Sequence, residues 1–183
     1  MENASQMNTR ILYYIVLSLV LLAWFVTQPI SLRPDEIKLD VAEVTNKLSQ
    51  VGIFTNDFEP NEKCNIESVN GQPFSEIAYK LKKNELLQLN GWAIQSDKLK
   101  LPTSVIIRLN GKTQENLYAQ AQSGIARNDV KDAFKLPDSL IGSGYQTNIN
   151  INTIPAEQYD LSVITVYDDV SYICKSGRTI VVQ

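Results

Sequence analysis

SVIIRLNGKTQENLYAQAQ, residues 104–122, carries the pattern that decides the fold. Successive side chains of an extended strand point to opposite faces, so Val105, Ile107 and Leu109 share one side and Arg108 takes the other. Asn110-Gly111 supplies a turn signal, and Leu117, Ala119 and Ala121 then restore the alternation. The stretch reads as two strands and their connection.

Working outward, the same kind of unit recurs. KCNIESV runs into Asn70-Gly71, a second turn signal of the same type. LLQLNGWAIQ, residues 86–95, contains Asn90-Gly91, but apolar character continues through Trp92, Ala93 and Ile94. There the glycine predicts a kink or bulge inside a strand. TNININ, YDLSVITVYD, SYICKS and RTIVVQ follow, with Val163 and Thr165 flanked by Ile164 and Val166, which predicts a strand covered on both faces. Asp168-Asp169 is the expected turn after it. Residues 124–145 hold Gly124, Pro137, Gly142 and Gly144 and read as a crossing connection with a helical turn from Asp129 to Phe134. TNDFEPNE, residues 55–62, is a polar connector, and its acids do not have the spacing of a twelve-residue calcium loop. The fold class expected is therefore all-β: an antiparallel β-sandwich of seven or eight strands over 55–183.

The preceding segments differ. From Ile11 to Leu32 the only ionisable side chains are Tyr13 and Tyr14, and a helix rising about 1.5 Å per residue over this length spans a hydrocarbon core of roughly 30 Å. Its apolar run ends in bulky Trp24, Phe25 and Val26 with no small-residue cleavage site, which favours a retained signal-anchor over a removed signal peptide. Tyr13, Tyr14 and Trp24 suit the two headgroup zones. Ser18, the one polar residue between Ile11 and Val26, is the candidate contact to a partner helix. Residues 1–10 then form a cytoplasmic tail, 11–32 the transmembrane helix and 33–54 a juxtamembrane stalk. Within the stalk Ile37, Val41, Val44, Leu48 and Val51 recur at helical spacing after Pro34, predicting a short amphipathic helix stopped by Gly52. Ile37, Leu39 and Val41 also alternate as in a strand.

Basic residues flank the apolar run almost equally, so orientation rests on the cysteines. There are two, Cys64 and Cys174, with no CxxC pair and no histidine, which leaves typical zinc and redox motifs without support and implies no cofactor. A pair of this kind behind a membrane segment reads as one disulfide formed outside the cytosol, against the alternative of two buried thiols. The net charge of −3 and the lack of a basic stripe beyond Lys80, Lys82 and Lys83 argue against nucleic acid as partner.

GWAI at 91–94, IIRLNG at 106–111, ARNDV at 126–130, SGY at 143–145 and YDLSVITV at 159–166 together resemble an immunoglobulin- or fibronectin-III-like module. They are similar in order to small extracytoplasmic modules of bacterial envelope proteins, some attached to glycan-handling membrane enzymes. Asn128 stands where that pattern often has proline. The resemblance implies a binding or assembly module without catalytic residues, placed in the bacterial inner membrane as a single-pass protein with its C-terminal domain in the periplasm or outside.

Catalysis is not expected from the residues either. Histidine is absent, Ser171 to Lys175 lies on a strand, and Asp168 and Asp169 are neighbours on a turn instead of facing across a cleft. Two non-enzymatic classes follow. The first is an accessory subunit that binds a larger envelope membrane protein, recognisable by a broad apolar patch. The second is a module for an envelope glycan or other ligand, in which Trp92, Tyr118, Tyr145 and Tyr167 are the candidate contact aromatics. Arg127 and Asp129 are expected to hold a structural turn, Arg127 pairing with a nearby acid.

Overall fold

A computed structural model describes residues 40–183 apart from 76, 77, 96, 99, 114 and 169. The expected anchor at 11–32, Ser18 within it, and Asp169 lie outside the described residues. Among the described residues no helix is long and apolar enough to cross a membrane.

The protein is all-β, built on a mixed, multi-strand sheet. In chain order the strands are β1 (Val41–Ala42), β2 (Val44–Thr45), β3 (Glu59–Pro60), β4 (Cys64–Val69), β5 (Gln72–Pro73) and β6 (Ala78–Leu81). β7 (Leu86–Ala93), β8 (Ser104–Gly111), β9 (Leu117–Ile125), β10 (Gly144–Asn150), β11 (Gln158–Tyr167) and β12 (Val170–Val182) follow. The path runs β3-β12-β11-β8-β9-β10-β7-β4-β5. β9 turns the corner: Leu117 to Ala121 pair with β8, whereas Gln122 to Ile125 pair with β10. The inward residues of both halves meet in one core, among them Ile66, Leu89, Ile107, Tyr145, Val163 and Ile180, all essentially inaccessible to water. Burial on this scale is what offsets the entropy of ordering so many short strands.

Several sequence expectations are met locally. β8 buries Val105, Ile107 and Leu109 and turns Arg108 outward. Asn70 (φ +48°) and Gly71 (φ +74°) make the tight turn between β4 and β5, and Asp168 (φ +50°) opens the one between β11 and β12. The helical turn is α1, Asn128–Phe134.

Two expectations are corrected. The sheet is not purely antiparallel, because β1 joins β10, and β3 and β6 join β12, in parallel. These pairs come from connector segments that return along an edge and satisfy its open backbone groups. The amphipathic helix is also not formed over its described part. Val41 and Val44 enter β1 and β2, and only Leu48–Val51 coils, as a single 3-10 turn closed by Gly52 at φ +79°. β-branched Val41, Val44 and Thr45 favour extended backbone, and pairing with β10 and β9 satisfies backbone groups that an isolated short helix holds only marginally. The apolar face expected of that helix is still used. Leu48, Val51, Ile53 and Phe58 pack on Ile106, Ile164, Ile173 and Tyr118, covering part of the outer face of β8, β11 and β12.

Cys64 and Cys174 form a disulfide. It joins β4 to β12, each second from one end of the strand path, and so closes the sheet across its open seam. Buried Asn61 spans the same seam: its backbone N–H donates to Ile173 O (2.9 Å) and its side-chain amide to Ile94 O (3.0 Å).

Candidate functional site

Three of the quoted motifs converge. In β7, Gly91 lies against β4 and over the Tyr145 ring of β10. A Cβ there would overlap the Asn65 carbonyl oxygen and stand 2.6 Å from the Tyr145 hydroxyl. That hydroxyl donates to Asn65 O at 3.0 Å, and burial pushes its pKa well above the usual tyrosine range. Glycine is required because two backbones and a ring meet at this point.

On the opposite, outer face, Trp92 donates its indole N–H to Glu67 Oε1 at 2.9 Å. Glu67 sits at the irregularity where β4 slips register against β7, between Ile66 and Ser68, so the bulge expected inside β7 at Asn90-Gly91 falls in the neighbouring strand instead. Arg127 reaches Glu67 Oε2 with Nη1 (2.8 Å) and clasps Asp129 with Nε and Nη2 (2.9 and 2.6 Å). Its stem lies over Gly144, where a Cβ would come within 2.8 Å of Arg127 Cγ. The hydrogen bonds from Arg127, with its charge, hold the Asp129 carboxyl down to about 2, and those to Asp129 and then Glu67 raise the guanidinium further above its normal range. α1 then carries Phe134 back over Trp92, ring centroids 5.1 Å apart and inclined at 57°. Arg127 thus pairs with both Glu67 and Asp129, and the two acids are committed to one guanidinium.

From this cluster an amide-lined surface extends across the outer face of β4, β7, β10 and β9. Ser68, Asn90, Gln146 and Gln122 stand opposite one another in a row, with Asn90 donating to Ser68 Oγ (3.1 Å) and Gln146 to Gln122 Oε1 (3.2 Å). Gln88 and Asn148 form the next row, and Asn65 stands opposite Trp92.

Of the four candidate aromatics, only Trp92 reaches this surface. Tyr145 and Tyr167 are 1% and 3% exposed, on the inward phase of their strands. Tyr167 packs edge-on to Tyr172, and burial pushes its hydroxyl up to about 12. Tyr118 does point outward, but the 3-10 turn and Ile53 cover it. Those three are packing residues and are corrected as ligand contacts. Glu67, Phe134 and the amides were not among the expected site residues. Their signal was present as Gln88, Asn90 and Trp92 alternating outward in β7, matched by Gln146 and Asn148 in β10.

The chain matches no family model, no curated protein and no solved structure.

Proposed function

We propose that this chain is a non-catalytic binding module of the cell envelope, an immunoglobulin- or fibronectin-III-like sandwich held beyond the cytosolic face by residues 11–32. The disulfide supports an oxidising compartment, since such bonds are rare in the cytosol. The observation that carries the binding reading is the row Ser68-Asn90-Gln146-Gln122 leading to the Trp92–Phe134 pair on a sheet face reached by solvent. Amides both donate and accept, as sugar hydroxyls do, and a half-exposed indole offers an apolar surface to a pyranose ring. The ligand class is accordingly an envelope glycan. Binding requires no catalytic group, and the two acids beside Trp92 serve to position Arg127.

Docking on a larger envelope membrane protein is the second reading, favoured by Phe54, 89% exposed on the segment that follows the 3-10 turn. Against it, the exposed large apolar side chains among the described residues, Val41, Phe54, Leu86 and Phe134, lie on separate elements.

The test is affinity electrophoresis of the full chain, in mild detergent, through gels containing envelope polysaccharide, compared with Asn90→Ala/Gln146→Ala. Retardation of the native chain alone supports the glycan reading. Equal mobility of the two, with a stoichiometric membrane protein lost on Phe54→Ser, transfers the function to the second reading.

A further inference from the structure

The outer face of β8, β11 and β12 is layered in rows. Ile106, Ile164 and Ile173 form one row and are covered by the segment around Val51 and Ile53. The next row is Arg108, Ser162 and Lys175, with Ser162 directly opposite both cations. Beyond it come Asn110, Asp160 and Thr179, where the Thr179 hydroxyl donates to Asp160 Oδ1 at 3.0 Å. The covering segment stops at the isoleucines. The register shift after Leu161 takes Ser176 and Gly177 out of step beside the second row, and a cleft of about 490 Å³ opens there. Its volume lies within the range of small-ligand sites.

Three cations, Arg108, Lys175 and Arg178, line this cleft with one acid, Asp160, and the Arg178 guanidinium lies over the Phe74 ring, 5.3 Å from its centroid. Arg108 and Lys175 flank the small Ser162 from adjacent strands, two strand spacings or roughly 10 Å apart in backbone terms. Neither forms an ion pair among the described residues. Arg108 Nε is buried without an acceptor, and Nη2 has only a long 3.4 Å contact to Asn110 Oδ1. A buried guanidinium N–H without a partner is costly, and two cations facing one hollow repel each other. One planar anion seated over Ser162 would relieve both conditions. Asp160, the acid that lines the cleft, opposes a second negative charge, so a single carboxylate fits better than a phosphate dianion.

We propose that this cleft binds a carboxylate-bearing ligand, Arg108 taking its oxygens in a forked contact and Lys175 supplying the second cation. The site lies on the half of the sheet away from Trp92 and does not depend on the glycan reading.

Calorimetric titration of the full chain in nonionic detergent tests it with three probes: glutarate, a capped glutamyl tripeptide and inorganic phosphate. Saturable binding of glutarate or the peptide is expected, weakening with salt, and Arg108→Met should weaken it at least about tenfold, with Arg108→Lys intermediate. Lys175 is exposed, so Lys175→Met preserves the fold, and it should weaken binding about threefold. Glutarate alone binding assigns the site to a small free acid, whereas equal binding of the peptide assigns it to the acidic side chain of a protein chain. No saturable binding of either carboxylate, phosphate binding as tightly as they do, or unchanged affinity in both Arg108→Met and Lys175→Met overturns the proposal.

Discussion

Removing the disulfide is the sharpest perturbation of this fold. Cys64 and Cys174 are 110 residues apart in sequence, and their strands share no backbone ladder. Cutting the bond therefore frees nearly the whole β-unit in the unfolded chain, while the folded sheet loses one clasp across its seam. On the chain-entropy treatment, closing a loop of this length stabilises the folded state by about 5 kcal/mol at 25 °C. For a domain of this size that corresponds to a fall in melting temperature of roughly 10–20 °C. The assay is urea and thermal unfolding of Cys64→Ala/Cys174→Ala beside the native chain, followed by Trp92 emission and far-ultraviolet circular dichroism. Hydrogen exchange should rise first at Asn61, whose backbone N–H donates to Ile173 O beside the same seam. A loss below about 1 kcal/mol, with both proteins unfolding completely, would refute the reasoning, because it would mean the unbridged chain is already constrained.

Other outcomes follow from the site and the seam. Gly91→Ala forces a methyl group into the Asn65 carbonyl and the Tyr145 hydroxyl and should cost about 1–3 kcal/mol in urea unfolding. Arg127→Met leaves Glu67 without its guanidinium and should cost about 2 kcal/mol and shift Trp92 emission, while Arg127→Lys recovers less than half because an ammonium cannot fork onto both acids. The Asp129 carboxyl, held at about 2 against an ordinary 3.8, contributes stability that is present above about pH 4 and lost as pH falls towards 2. Carbon-detected titration of Asp129 should place its midpoint near 2, and an ordinary midpoint would sink the Arg127 contact. Asn61→Ala removes a buried amide that joins Ile94 to the seam and should destabilise by about 1–2 kcal/mol in thermal unfolding.

The sheet was legible because strand alternation is a local property. The inward set of β8, the turns at Asn70-Gly71 and Asp168, and the helical turn at 128–134 each depend on neighbours a few residues away. The site was legible only in part. GWAI, ARNDV and SGY marked Gly91, Trp92, Arg127 and Tyr145, but Glu67 and Phe134 complete the cluster from strands and helices that no short window connects. The helix expected through Val51 failed for a related reason. Its spacing described which residues would be buried, and Leu48 and Val51 are packed, but locally open stretches of β9 and β10 offered the backbone of Val41 to Thr45 better partners than its own turns.

Composition and alternation alone pointed to an all-β chain with two cysteines, an apolar segment ahead of them and no histidine. The tertiary structure decided which outward-facing residues meet water. Tyr118 and Arg108 have the same outward phase on adjacent strands, yet one is sealed beneath Ile53 and the other opens on a cleft. Phase is set by the backbone of a single strand, whereas cover depends on a segment that arrives from more than fifty residues away.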